Sequence, residues 1–148
     1  METRTLHALR SKFFSAAAAL LFAAGLVACS ASTAHIGSLQ VAKDKDMTTP
    51  TTSFGLHDTV YAKADADNLP GKVTLNWQLI AENVKGQPPN SDIPSLHKSY
   101  DLDADGTTDY TLTPPDAGWP PGTYKIVLTM MDDGTQRDQK SAEVTVGP

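Results

Sequence analysis

The sequence predicts an all-β fold: a single antiparallel β-sandwich of about seven strands. Short runs alternate between apolar and polar residues, as in KVTLNWQLI at 72–80. This period of two is typical of strands with one buried face. Clusters of Gly, Pro, Asn and Asp separate the runs and indicate turns. After residue 29, no stretch has the 3.6-residue period of an amphipathic helix.

The first half of the domain contains three predicted strands. They are a weak first strand, IGSLQVA at 36–42, then DTVYAKADA at 58–66 and the clear strand at 72–80. The interval 81–100 carries three prolines, so we expect a loop or a weak edge strand there. The inward residues would be Val60, Ala62, Ala64, Val73, Leu75, Trp77 and Leu79.

The second half contains three more strands, at 109–113, 122–133 and 141–146. Asp133 and Gly134 precede the last of them, and both residue types tolerate positive φ. They therefore predict a tight hairpin turn. The inward residues would be Tyr110, Leu112, Tyr124, Ile126, Leu128, Met130, Ala142, Val144 and Val146.

Residues 1–28 have the organisation of a secretory signal peptide. Arg4, Arg10 and Lys12 precede an uncharged run of 16 residues at 13–28. That run is short for a membrane-spanning helix, which needs roughly 20 residues, and fits the apolar centre of a signal peptide.

The run LVAC at 26–29 resembles the bacterial lipoprotein box. The resemblance implies cleavage before Cys29 and attachment of a diacylglyceryl group to its sulfur; the alternative is an ordinary signal peptide with a chance cysteine. Cys29 is the chain's only cysteine, so an intrachain disulfide is excluded. Ser30, where aspartate would imply inner-membrane retention, favours the outer membrane. We expect a lipidated tether with the weak first strand over 29–53, and the sandwich over 54–148.

The run GWPPGTYKIVLTMMDDG at 118–134 resembles the end of immunoglobulin-like β-sandwich domains of bacterial exported lipoproteins. Those domains carry a Gly-Trp-Pro-x-Gly-x-Tyr turn before the penultimate strand. Upstream, HDTVYAKA at 57–64 resembles their second strand, and VTLNWQL at 73–79 resembles their central tryptophan strand. The resemblance covers 54–146 and implies a fold, not a function.

Three aromatic residues have predicted places. Trp77, central on the clearest strand, is expected in the core. Tyr124 begins the penultimate strand, where a tyrosine-corner hydroxyl bonds a nearby backbone group. Trp119, in a proline-rich turn, is either a lid over one end of the core or an exposed contact that stacks on a sugar or protein partner.

The charge and the missing motifs argue against several functions. Removal of 1–28 would change the formal net charge from −5 to −7, and an acidic surface disfavours nucleic acid. The chain has no glycine-rich phosphate loop and no Gly-x-Ser-x-Gly. His35, His57 and His97 lack metal-ligand spacing and are expected to be solvated. The sequence therefore predicts a protein that is not an enzyme and has no resident cofactor, with calcium as the one ion to consider.

DLDADGTTDY at 101–110 is the candidate cation site. Asp101, Asp103, Asp105 and Asp109 match the first, third, fifth and ninth positions of a calcium loop, but leucine replaces the bidentate glutamate at the twelfth. Two interpretations stay open: a loose calcium site between strands, or a hairpin turn whose acids face water.

These observations favour a lipid-anchored, non-catalytic binding or interaction module of the bacterial envelope, with a protein or glycan as its partner. Two alternatives are a structural accessory lipoprotein of a secretion or surface assembly, and a protease inhibitor that presents the segment 81–99. The membrane would be reached through the lipid at Cys29.

Overall fold

The computed structural model describes residues 33–148, which form nine strands and one 3₁₀ turn. The predicted signal peptide and Cys29 lie outside the described residues. The strands are β1 (His35–Ala42), β2 (Ser53–Gly55), β3 (Val60–Asp67), β4 (Val73–Val84), β5 (Ser91–Asp92), β6 (Lys98–Leu102), β7 (Gly106–Leu112), β8 (Gly122–Asp132) and β9 (Thr135–Gly147). The 3₁₀ turn is Pro94–Leu96. Within 33–148, no helix is long and apolar enough to cross a membrane.

The strands form two packed sheets, which confirms the predicted all-β sandwich. The small sheet has the order β1-β3-β7. The large sheet has the order β2-β9-β8-β4-β5, and β6 pairs with β4 alongside β5. All pairs are antiparallel except β2 with β9, which run parallel.

The core lies between the sheets and consists of the alternate residues that the sequence predicted. On β4, Val73, Leu75 and Trp77 are almost fully buried. The facing strand β3 contributes alanines at 62, 64 and 66, and these small side chains leave room for large ones. One prediction holds only in part, because Ala142 is half-buried at the sheet's side.

Trp77 is the largest fully buried side chain among residues 33–148. Its ring stacks on Tyr110 with centroids 5.2 Å apart. Its Nε1 donates to Thr108 Oγ1 at 3.1 Å. Thr108 is the one buried polar residue among 33–148, so this bond satisfies a hydroxyl that burial would otherwise penalise.

Trp119 closes one end of the core. The residue is only 6% exposed, and its Nε1 donates to the carbonyl of Asp58 at 3.0 Å. Its ring meets Tyr124 edge-on at 6.0 Å. Trp119 therefore lies where the lid interpretation places it. Its ring is not an exposed contact surface, because the turn folds the ring inward.

Tyr124 has the bond expected at a tyrosine corner, since its hydroxyl donates to the carbonyl of Pro120 at 2.8 Å. Burial raises the pKa of the Tyr124 hydroxyl. The phenol therefore stays protonated and remains a donor that ties the proline-rich turn to β8.

The β8–β9 hairpin confirms the predicted turn. Asp133 has φ 47° and Gly134 has φ 75°, and Asp132 pairs with Thr135 across them. Two successive positive φ values define the tight turn that suits the right-handed twist of the flanking strands.

The interval 81–100 is more ordered than a loop. β4 continues to Val84 through a bulge between Ala81 and Asn83. β5 and β6 then return along the same side of β4, separated by the 3₁₀ turn. Pro94 lies between the two pieces of this returning strand, and a proline cannot donate to the ladder.

The two ends of the domain meet along β9. β2 pairs with its last residues, Ser53 with Thr145 through Gly55 with Gly147. Further back, the Asp138 carboxylate accepts the backbone N–H of Ile36 at 2.7 Å. β1 therefore belongs to the sandwich.

Candidate functional site

A groove of ≈ 250 Å³ crosses the solvent-facing side of the large sheet. We call it the polar groove. The side chains that form it are Asn76 and Gln78 of β4, Ser99 of β6, Thr129 of β8, and His97. Trp77 and Lys98 also border it. They are cross-strand partners, and the Trp77 side chain lies in the core, so this pair contributes main-chain atoms.

Strand register assembles the groove. Asn76 lies opposite Ser99 on one side and opposite Thr129 on the other. Because opposite residues of paired strands share a face, three polar side chains form one row across three strands. Gln78 follows two residues along β4, on the same face.

The 3₁₀ turn places His97 at the rim. It interrupts the edge of the sheet between β5 and β6, and the His97 N–H bonds the carbonyl of Pro94 at 3.2 Å. From below, the Tyr110 hydroxyl donates to the carbonyl of Leu96 at 2.6 Å. Burial raises the pKa of Tyr110 well above its usual value, so this donor keeps its proton. Tyr110 therefore supports the rim through its hydroxyl, while its ring stacks on Trp77 in the core.

Only some of the polar side chains in the groove form hydrogen bonds within the protein. Ser99 Oγ donates to Asn76 Oδ1 at 2.6 Å, which leaves the Asn76 amide nitrogen as a donor. His97 Nε2 and Asp92 Oδ1 are 2.7 Å apart, across the 3₁₀ turn. Within residues 33–148, the side chains of Gln78 and Thr129 form no hydrogen bond. Several groups are thus free to meet a ligand.

Two further ion pairs flank the groove, in addition to the His97–Asp92 contact at its rim. At one end, Lys125 pairs with Glu82. At the other, Lys72 and Asp101 are 2.9 Å apart. The strip between them carries amides and hydroxyls, so its centre has no fixed charge.

The aspartates of 101–110 lie apart and have separate partners. Asp101 contacts Lys72 and accepts from Thr74 Oγ1 at 2.8 Å. Hydrogen bonds from Lys72, then from Thr74, lower the pKa of Asp101. Asp109 lies 3.8 Å from Lys63 on the other sheet.

Asp105 caps the neighbouring turn, since its carboxylate accepts the backbone N–H of Leu69 at 2.8 Å. That bond, with one from Asn68, lowers the pKa of Asp105. Asp103 is exposed between β6 and β7. Among residues 33–148, no group of three His, Cys, Asp or Glu side chains is placed to hold a metal ion. The four aspartates of the predicted loop are therefore not gathered around one point.

Sequence reasoning missed the groove as a site. Asn76 and Gln78 alternate with the inward residues predicted for this strand, and His97 was expected to be solvated. The available signal was composition: the outward face of β4 carries Thr, Asn and Gln where a purely solubilising face would carry Lys and Glu. Ser99 and Thr129 could be added only once the strand register was known.

No family model matches the chain, and no curated protein does. Among solved structures, it is similar to part of a β-glucosidase from Erythrobacter marinus, with a TM-score of 0.52 and 14% identity over 78% of this chain. It is also similar to part of a glycosyl hydrolase family 2 member from Bacteroides cellulosilyticus, with a TM-score of 0.50 and 15% identity over 76% of this chain. In both cases the match spans 15% of the larger protein. At this identity the likeness shows the β-sandwich fold alone.

Proposed function

We propose that this protein is a lipid-anchored, non-catalytic binding module of the bacterial cell envelope, and that it binds its ligand in the polar groove. The observation that carries the proposal is the groove itself. Amide and hydroxyl groups converge there on a paired sheet, and strand pairing on both sides positions Asn76 and Thr129. Convergent polar groups in a concave site can fix the orientation of a bound ligand.

The strand order supports an immunoglobulin-like classification within the sandwich class. In constant-type immunoglobulin domains, strands A, B and E share one sheet, and strands G, F and C share the other. The orders β1-β3-β7 and β9-β8-β4 follow the same pattern when the short strands β2, β5 and β6 are set aside. The tyrosine-corner bond of Tyr124 adds to this support.

The hydrogen bonds of the groove favour binding over hydrolysis. A serine nucleophile needs a base within hydrogen-bond reach. Ser99 donates its proton to the Asn76 carbonyl oxygen, and His97 bonds Asp92. The serine and the histidine are thus engaged with different partners.

Anchoring is tested at Cys29. The wild-type protein should enter the detergent phase of a phase-separation extraction and incorporate labelled fatty acid. Cys29→Ala should abolish both, because the sulfur is the attachment atom. A wild-type protein that stays in the aqueous phase would contradict the anchor.

Binding is tested with a matched pair of substitutions on β8. Thr129→Val removes a hydroxyl inside the groove and keeps the side-chain shape. Thr123→Val makes the same change on the same face, six residues away. Immobilised full-length protein should retain envelope material in the wild-type and Thr123→Val forms, and lose it in Thr129→Val. Equal retention by the wild-type and Thr129→Val proteins would instead favour the structural accessory alternative.

A further inference from the structure

We infer, on the basis of the proposed binding function, that the ligand of the polar groove is a neutral saccharide. The first argument is the match of functional groups. Asn76 and Gln78 offer carboxamides, and Ser99 and Thr129 offer hydroxyls. Each of these side chains both donates and accepts hydrogen bonds, as every sugar hydroxyl does. A surface built from such groups can meet a ligand whose polar atoms all have this dual character.

The second argument is charge. The charged side chains around the groove already have partners: Lys125 pairs with Glu82, Lys72 pairs with Asp101, and Asp92 contacts His97 at the rim. An ionic ligand would have to compete with these existing partners for a counter-charge that offsets its desolvation. A neutral polar ligand meets no such penalty.

The third argument is shape. The groove volume of ≈ 250 Å³ lies just below the range of roughly 300–1,000 Å³ that is typical of sites for drug-sized ligands. It therefore suits about one sugar ring, with the rest of a chain continuing over the surface.

The side-chain chemistry also sets the strength of binding. Trp77 and Trp119 are both buried, so neither offers a face for stacking on a sugar ring. Binding must then rest on neutral hydrogen bonds, and we expect weak affinity for a single saccharide. Loss of one such bond should weaken binding roughly three- to tenfold.

The direct test is an NMR titration of the full-length protein in detergent micelles. The probes are neutral di- and tetrasaccharides of glucose, galactose, mannose and N-acetylglucosamine, with a uronic acid tetrasaccharide as the charged comparison. The side-chain amide signals of Asn76 and Gln78 should shift, while that of Asn83, at the far end of β4, should not. Thr129→Val should weaken the response by the stated factor, and Thr123→Val should leave it unchanged. Failure of every neutral probe, or tighter binding of the uronic acid, would overturn the inference.

A second experiment separates this inference from the proposed function. Envelope material is treated with periodate, which cleaves vicinal diols, or with protease, before capture by the wild-type, Thr129→Val and Thr123→Val proteins. Groove-dependent capture that periodate abolishes supports a saccharide. Groove-dependent capture that only protease abolishes, together with no response to the N-acetylglucosamine probes, whose 1,4-linked units lack a vicinal diol, overturns the saccharide and keeps the binding module. Capture that is equal in the Thr129→Val and wild-type proteins overturns both.

Discussion

Replacement of Trp77 by alanine should destabilise the domain strongly. The residue is fully buried between the sheets, and its ring stacks on Tyr110. Removal of a buried tryptophan costs about 3–5 kcal/mol in transfer and cavity energy. The substitution also leaves the hydroxyl of Thr108 without its indole partner, and an unsatisfied buried group costs about 1–3 kcal/mol. The two costs overlap, so we expect a total of at least about 3 kcal/mol.

That loss is large beside the ~5–15 kcal/mol of a typical domain. For a domain of this size it corresponds to a fall in Tm of roughly 10–20 °C. Urea denaturation and thermal unfolding followed by far-UV circular dichroism would measure it. A Trp77→Ala protein that melts within about 2 °C of wild type would refute the buried position of the ring.

A paired substitution isolates the hydrogen bond from the packing. Trp77→Phe keeps an aromatic ring beside Tyr110 but leaves the Thr108 hydroxyl without its indole partner. Adding Thr108→Val replaces that hydroxyl with a methyl group. Because removal of both partners of a buried bond is less costly than removal of one, the double variant should be more stable than Trp77→Phe alone. If the double variant is the less stable, the bond between Nε1 and Oγ1 contributes nothing in solution.

Three further predictions concern the turn regions. Millimolar calcium should leave Tm unchanged relative to chelator at constant ionic strength, because the four aspartates are not gathered; a rise that Asp103→Asn with Asp105→Asn abolishes would contradict this. Gly122→Ala should lower the free energy of unfolding, measured by urea denaturation, by about 1–3 kcal/mol, because Gly122 has φ 151° and a Cβ would meet the β4 backbone. The control is Gly71→Ala, where a Cβ would meet open space. Equal urea midpoints for the two variants would count against the strain at Gly122. Hydrogen bonds from the Lys43 side chain and from the Gly55 N–H hold the pKa of Asp58 below its usual value. Its stabilising contribution is therefore present above the unfolded pKa of about 3.9 and is lost as the pH falls through the lower folded pKa; Asp58→Asn should flatten the dependence of Tm on pH below about 4, and an unchanged slope would argue against it.

The sequence predicted the fold best where a strand is long and has one buried face. β4 and β8 carry that pattern over many residues, so their inward side chains could be named in advance. β2 and β5 have only three and two residues, too few to show a period. The parallel pairing of β2 with β9 depends on where the chain crosses between the sheets, which no local pattern encodes.

The candidate site was less accessible to prediction, because it depends on register. Spacing placed the aspartates of 101–110 close together in the chain, but a strand, a turn and a second strand in the other sheet direct them to different partners. In the groove, by contrast, residues that are distant in the chain come together. Ser99 lies 23 residues from Asn76 in the chain, and pairing of β6 with β4 brings them into hydrogen-bond contact.

The meeting of the chain ends along β9 has a consequence for the order of folding. Ile36 and Asp138 are joined across 102 residues, and β2 finds its partner only in the final strand. Contacts of such long range are costly to close and form slowly. A chain that emerges N-terminus first can pair β1 with β3 early, but it must wait for β9 before the N-terminal edge is complete. Loss of a few C-terminal residues would therefore first loosen the strands at the beginning of the domain.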